Sequence, residues 1–185
     1  MTGVQTCALP ICSIQSCKDF VLILSPKALD RCGFDTRRVR DMSGMFCNCK
    51  RLDRLDLAGF DTSNAVDMHD MFWNCKYLDN LDLSGWDTGR VTDMENMFRE
   101  CGLLYRLDLA DWNTGHVTNM ARMFSNCPYA VELLVTNWDV SSVETMEGMF
   151  ASDGALESIG RDPAAFGHGN TDGMYEGCDR LMRAQ

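Results

Sequence analysis

Cysteines recur in this sequence at a spacing that first suggests metal binding or disulfide chemistry. Cys49, Cys75, Cys101 and Cys127 follow one another at 26-residue intervals, and Cys178 continues the row. A zinc site needs closely spaced cysteine or histidine pairs, and Cys47–Cys49 is one tight pair without a second. We therefore expect free, buried cysteines that act as small apolar side chains, and we predict no metal and no cofactor. The pairing of Cys12, Cys17 and Cys32 stays open.

Methionines and aromatic residues recur with the same interval. The methionine rows are interpreted as unbranched filler of an apolar core rather than as ligands for a soft metal. The aromatic row (Phe34, Phe60, Trp86, Trp112 and Trp138) is interpreted as an internal stack, with a sugar-binding platform as the alternative. Trp73 falls just outside the apolar arc, so we expect it to be exposed and to anchor a partner.

All these rows arise from an internal repeat of 26 residues. Its clean copies span 33–58, 59–84, 85–110, 111–136 and 137–160 without insertion or deletion. In the third copy the apolar side chains between Val91 and Cys101 fall within one helical stripe, which predicts a short helix from Thr92 to about Cys101. The alternating run "LYRLDLA" predicts a short strand.

One such unit cannot bury its apolar face alone, so successive units must stack. The predicted fold class is therefore α/β, a leucine-rich-repeat-like solenoid with one short parallel strand and one short helix per 26-residue repeat.

The chain divides into four segments by this pattern. Residues 1–11 resemble a translated sequencing adapter and are expected to be a non-native leader; a disordered native terminus and a lipobox are the alternatives. Residues 12–32 are interpreted as a degenerate N-terminal segment, and 33–160 as five repeats. Residues 161–185 are an eroded sixth repeat or C-terminal cap. The native N-terminus and any signal peptide are left open.

The outward positions of the predicted strands form the candidate binding face. One row contains Arg54, Asn80, Arg106 and Glu132, and the next contains Asp56, Asp82, Asp108 and Leu134. Neighbouring strands would place the aspartates about 4.8 Å apart, where like charges repel one another. A basic partner, a bound Ca²⁺ or a merely solvated acidic face remain open. The predicted partner-binding residues are Arg54, Asp56, Asp82, Arg106, Asp108 and Trp73.

The consensus "WDTsxVTdMxxMFxxCxxLxxLDLS" resembles the BspA-like surface proteins with their leucine-rich repeat. The match covers residues 33–160 clearly and 161–181 loosely. The resemblance implies a fragment of a bacterial-type cell-surface or secreted protein that functions in adhesion. It implies no catalytic residue.

The net charge and the motif content argue against several classes of function. A net charge of −10 argues against a nucleic-acid partner, and no apolar run is long enough to span a membrane. The histidines, His69, His116 and His168, occupy different repeat positions, and no nucleophile motif accompanies them, so the chain is not predicted to be an enzyme. We expect a scaffold that binds a protein or another extracellular macromolecule through the sheet face. A stalk without a ligand and an intracellular scaffold are the alternatives.

Overall fold

The structure is a computed structural model that describes residues 35–50, 52, 55, 57, 59–79 and 81–183. The regular elements of this part are strands β1 (Arg106–Asp108) and β2 (Glu132–Leu134), a 3-10 helix (Pro163–Ala165) and helix α1 (Asp179–Arg183). The predictions for 1–11 and 12–32, including the three N-terminal cysteines, lie outside the described residues.

Strands β1 and β2 form a parallel pair in which each residue lies opposite its repeat equivalent. Arg106 pairs with Glu132, Leu107 with Leu133, and Asp108 with Leu134. Leu107 and Leu133 are buried, while Arg106 and Asp108 are exposed. The alternation of side chains along a strand therefore turns the leucines towards the core and the charged residues outward.

The predicted fold class is wrong. A leucine-rich-repeat-like solenoid requires a strand and a helix in every repeat, whereas the described residues contain two strands of three residues each and one α-helix of five residues. Helix α1 lies in the last segment, where no helix was predicted. The segment 92–101, for which a helix was predicted, consists of turns around an isolated parallel bridge at Asp93.

Two residues with left-handed backbone explain why this segment is not helical. Asn96 has φ 54° and Glu100 has φ 61°, and such angles interrupt a right-handed helix. The N–H groups of Met97, Arg99 and Cys101 bond to carbonyls three residues back, which makes successive turns. The same two repeat positions are left-handed in other copies: Gly44, Asp70, Arg122, Gly148 and Gly173, and Asn48, Asn74, Asn126, Ser152 and Gly177.

The remaining N–H groups of this segment join each repeat to the next. Phe98 N–H donates to the Met123 carbonyl at 2.8 Å, and Phe124 N–H donates in turn to the Met149 carbonyl at 2.9 Å. Because one peptide group accepts on one side and donates on the other, its bonds continue as a column through the repeats. Within the described residues, four columns begin at Met42, Gly44, Phe46 and Asn48 and together contain twenty bonds of 2.6–3.0 Å.

Equivalent side chains form matching columns in the core. Phe98 is fully buried and stacks on Phe72 and Phe124, with ring centroids 5.4 Å away in both directions. Trp86, Trp112 and Trp138 stack at 6.2 and 6.4 Å, which confirms the internal stack for this part of the aromatic row. Phe34 lies outside the described residues. Both methionine rows are buried between Met42 and Met149, as predicted.

Cysteines form a further buried column. Cys75, Cys101, Cys127 and Cys178 are buried and form no disulfide, which confirms the prediction for these four. Each thiol points to a phenylalanine carbonyl of the preceding repeat, as Cys101 Sγ does to the Phe72 oxygen at 3.3 Å. Burial raises the pKa of the Cys101 thiol to about 12, so it stays protonated and unreactive at neutral pH.

Candidate partner-binding surface

The structure brings part of the predicted binding face to the surface. Arg106 and Asp108 are exposed on β1, and Asp82 is exposed at the equivalent position of the preceding repeat. Asp82 Oδ1 accepts the Ser84 N–H at 3.0 Å, and this backbone hydrogen bond lowers the pKa of the carboxyl group. Arg54 and Asp56 lie outside the described residues, so their part of the face stays a prediction.

Arg106 does not offset the aspartates as expected. Its Nη1 lies 3.4 Å from Glu132 Oε2 on the neighbouring strand, and its guanidinium lies 5.7 Å from the ring centroid of Tyr105. The side chain is 64% exposed, so the ion pair contributes little to stability. Among the described residues, the ion pair of Arg106 is therefore with Glu132 and not with Asp82 or Asp108.

Trp73 is half-buried rather than exposed. Its indole Nε1 is inaccessible and has no hydrogen-bond partner. An exposed anchor would present its ring to solvent and hydrogen-bond through its N–H to water or a partner. Trp73 therefore does not fit the anchoring role predicted for it.

Large apolar side chains that are exposed form instead a row that was not predicted from the sequence. Tyr77, Leu103 and Tyr129 occupy the same repeat position and are 57%, 40% and 61% exposed. Tyr105, two residues after Leu103, is 53% exposed. We call these four residues the tyrosine row. The residues that follow the first three, Leu78, Leu104 and Ala130, are fully buried, and this alternation was the signal that could have revealed the row.

Backbone contacts hold neighbouring members of the tyrosine row together. A Cβ atom on Gly102 would lie 3.0 Å from the Lys76 carbonyl, so the residues just before Leu103 and Tyr77 are packed against each other. Val131 N–H donates to the Tyr105 carbonyl at 2.9 Å, which joins the third and fourth repeats at the same level. The row therefore crosses three successive repeats at the edge of the acidic face.

The described residues contain no group of three His, Cys, Asp or Glu side chains placed to hold a metal ion. His69 Nδ1 lies 2.7 Å from Asp67 Oδ1 in neighbouring positions of one turn. This contact orders the turn, since Asp67 also accepts the His69 N–H at 3.0 Å.

No helix in the part of the chain that the structure describes has the length and apolar character needed to cross a membrane.

These features define a protein of 26-residue units joined by backbone columns and buried side-chain columns. The model of one family matches residues 27–129 and 103–162, which together exceed half of the chain. The chain belongs to this family, described as Mycoplasma protein of unknown function, DUF285. The resemblance to BspA-like leucine-rich-repeat proteins is therefore wrong. No curated protein matches the chain, and no solved structure does.

Proposed function

We propose that this chain is a non-enzymatic repeat scaffold that binds a macromolecular partner, a protein or another extracellular macromolecule. The observation that carries the proposal is the exposed tyrosine row beside the acidic side chains of Asp82 and Asp108. Aromatic side chains are enriched at protein interfaces because they offer a large contact area at a small entropic cost.

The charges around the row favour a partner with basic side chains. Asp79, Asp82 and Asp108 are exposed, and Glu132 is half-exposed on β2, whereas Arg106 is already paired with Glu132. A partner that places lysine or arginine beside an apolar side chain would match both features. Such charges mainly accelerate association and select partners, and their effect falls as salt is added.

The proposal also concerns the cellular location of the protein. A cell-surface or secreted protein is our first expectation, and digestion of intact source cells with an external protease tests it. An intracellular scaffold is the alternative, and the buried thiols without disulfides favour it because such thiols persist in reducing compartments. Cleavage of the chain in intact cells would exclude that alternative.

Replacing two members of the tyrosine row should abolish partner capture. Immobilised full-length chain is exposed to an extract of the source cells, and captured proteins are quantified by mass spectrometry. The Tyr77→Ser/Tyr129→Ser variant should lose the specific partner at least tenfold, since anchor truncations commonly cost more than about 2 kcal/mol in total. Met182→Ser is the matched control, because Met182 is 52% exposed and lies outside the row.

Charge reversal tests the acidic part of the same surface. The Asp82→Lys/Asp108→Lys variant should capture the partner at least tenfold less at low salt, with a smaller difference at high salt. Circular dichroism spectra of the variants establish that they are folded. Capture that is equal for wild type, both double variants and the control would favour a structural spacer without a ligand on this face.

A further inference from the structure

The exposed apolar side chains of the tyrosine row form a narrow line that crosses the repeats. Tyr77, Leu103 and Tyr129 occupy one repeat position in three successive repeats. The next residue in each repeat turns inward, as Leu78 and Ala130 do, which are fully buried. A partner therefore meets a line of side chains that runs from repeat to repeat, perpendicular to the direction of the strands.

The spacing of the two outer tyrosines follows from the pairing of the repeats. Each residue of β1 lies opposite its repeat equivalent in β2, and such paired chains lie about 4.8 Å apart. Tyr77 and Tyr129 are two repeats apart, so about 10 Å separates their backbones at this spacing. A polyproline II helix advances about 3.1 Å per residue with three residues per turn, so one turn covers about 9 Å. A segment in this conformation along the row places equivalent residues of successive turns over the two tyrosines.

The backbone beside the row is paired from repeat to repeat. Val131 N–H donates to the Tyr105 carbonyl at 2.9 Å, and Glu157 N–H donates in turn to the Val131 carbonyl at 2.9 Å. A partner that adds a strand requires backbone groups at an exposed sheet edge, which these residues do not provide. A polyproline II helix makes no such demand, because its own backbone groups stay solvated. It can bind through side-chain contacts alone, and proline-rich segments bind aromatic-lined surfaces in this way.

Acidic side chains accompany the row on one side. Asp79 is exposed two residues after Tyr77, and Asp82 and Asp108 are exposed further along their repeats. Three residues per turn place every third side chain of a polyproline II helix on the same face. A sequence with two prolines and one basic residue per turn can therefore rest its proline rings on the tyrosines and direct its positive charges towards the carboxylates.

We propose that the tyrosine row binds a proline-rich segment that carries basic side chains and adopts the polyproline II conformation. This inference rests on the proposed function, because it names the chemistry of the partner for the same surface. The rings of Tyr77 and Tyr129 contact successive turns of the segment, and Asp82 and Asp108 attract its arginine or lysine side chains. Since the conformation is largely formed before binding, the segment loses little conformational entropy on association.

Isothermal titration calorimetry of the full-length chain with synthetic peptides tests the proposal. The probe is a peptide of four Pro-Pro-Arg triplets. A peptide of four Gly-Gly-Arg triplets keeps the charge but loses the conformation, and one of four Pro-Pro-Glu triplets keeps the conformation but reverses the charge. At low salt the probe should bind at least tenfold more tightly than either control. Equal binding of the two arginine peptides, or no binding of the probe at concentrations up to about 1 mM, overturns the proposal.

Two double variants test whether the probe binds at the tyrosine row. Tyr77→Ser/Tyr129→Ser should weaken the binding of the Pro-Pro-Arg peptide at least tenfold. Met182→Ser, which changes an exposed side chain outside the row, should bind it like the wild type. Asp82→Lys/Asp108→Lys should remove the preference for the arginine peptide over the glutamate peptide. Unchanged affinity in the tyrosine variant overturns the proposal.

Peptide binding and capture from the cell extract can fail independently. Capture that depends on Tyr77 and Tyr129, combined with no preference for the Pro-Pro-Arg peptide, overturns this inference and leaves the proposed function in place. Capture that does not depend on the row contradicts the proposed function, and with it the surface on which this inference rests. If a variant does not fold, the three peptides on the wild type decide.

Discussion

Raising the pH from 5 to 8 should lower the free energy of unfolding of this protein by about 4 kcal/mol through Asp153 alone. Asp153 is fully buried, and burial raises the pKa of its carboxyl group from 3.8 to about 8. The folded protein therefore holds a proton on Asp153 over a pH range in which the unfolded chain has released it.

Asp153 occupies the repeat position of the buried cysteines, between Cys127 and Cys178 in the column. Its Oδ1 accepts the Cys127 N–H at 2.7 Å, and its Oδ2 is buried without a partner. In the neighbouring repeats a thiol donates to the equivalent phenylalanine carbonyl, as Cys127 Sγ does to the Phe98 oxygen at 3.1 Å. By repeat equivalence we expect a protonated Asp153 to donate to the Phe124 carbonyl, whereas an ionised carboxylate has no proton to donate.

The direction of the pH effect follows from the proton count. Between about pH 4 and pH 8 the folded state binds one more proton at Asp153 than the unfolded state does. Stability from this group is present below pH 4 and is lost as the pH rises through this window, by about 1.4 kcal/mol for each pH unit. The pKa of His69 is also raised: burial lowers it, but the hydrogen bond and charge of Asp67 more than offset that, so His69 adds a slope of the same sign.

Asp153→Asn isolates the contribution of Asp153. The amide keeps an acceptor for the Cys127 N–H and supplies a donor for the Phe124 carbonyl, but it does not titrate between pH 5 and 8. Urea unfolding of both proteins across this range should show a slope for the wild type and a clearly smaller one for the variant. The contribution of His69 remains in the slope of the variant. Parallel pH profiles for the two proteins would mean that Asp153 is ionised or accessible in the folded state.

Truncating the central ring of the phenylalanine column should lower the free energy of unfolding by about as much as raising the pH from 5 to 8 does. Phe98→Ala removes a fully buried ring that contacts Phe72 and Phe124 on its two faces and Trp112 at 6.3 Å. We expect a loss of about 3–5 kcal/mol, since the change removes apolar burial and leaves a cavity in a packed interior. Urea unfolding at constant pH measures this loss.

Two other truncations serve as comparisons for the loss of stability in Phe98→Ala. Tyr105→Ala removes an exposed ring of the same repeat and should change stability by less than about 1 kcal/mol. Tyr175→Ala removes the last ring of the column, which stacks on Phe150 alone, and should cost clearly less than Phe98→Ala. Similar losses for Phe98 and Tyr105 would show that the phenylalanines do not form a packed column.

Which side chains are buried could be predicted from the sequence, but the path of the backbone could not. The spacing of Met94, Met97, Phe98 and Cys101 correctly indicates four core residues. The same spacing suits a helix and a series of turns with a left-handed residue every fourth position. Asn96 and Glu100 differ in type, and Glu100 has no strong preference for φ above zero, so no local signal separates the two structures. The choice is made by hydrogen bonds to the neighbouring repeat.

The binding surface could be predicted only in part for a related reason. Arg106 and Asp108 are exposed because strand alternation on β1 places them opposite the buried Leu107, and Asp82 is exposed at the equivalent position of the preceding repeat. Trp73 was assigned to the surface from a helical arc that does not exist, so the direction of its side chain was wrong. Leu103 has a residue type that is typical of the core, but its neighbour Leu104 takes the inward position and Leu103 is exposed.

Scalar couplings across hydrogen bonds test the central claim most directly, because they identify donor and acceptor in solution. In a long-range HNCO spectrum of the labelled chain, the Phe98 amide nitrogen should couple to the carbonyl carbon of Met123, and that of Phe124 to the carbonyl carbon of Met149. Coupling of the Phe98 nitrogen to the Met94 carbonyl, four residues back, would instead reveal a helix and contradict the backbone columns on which the fold depends.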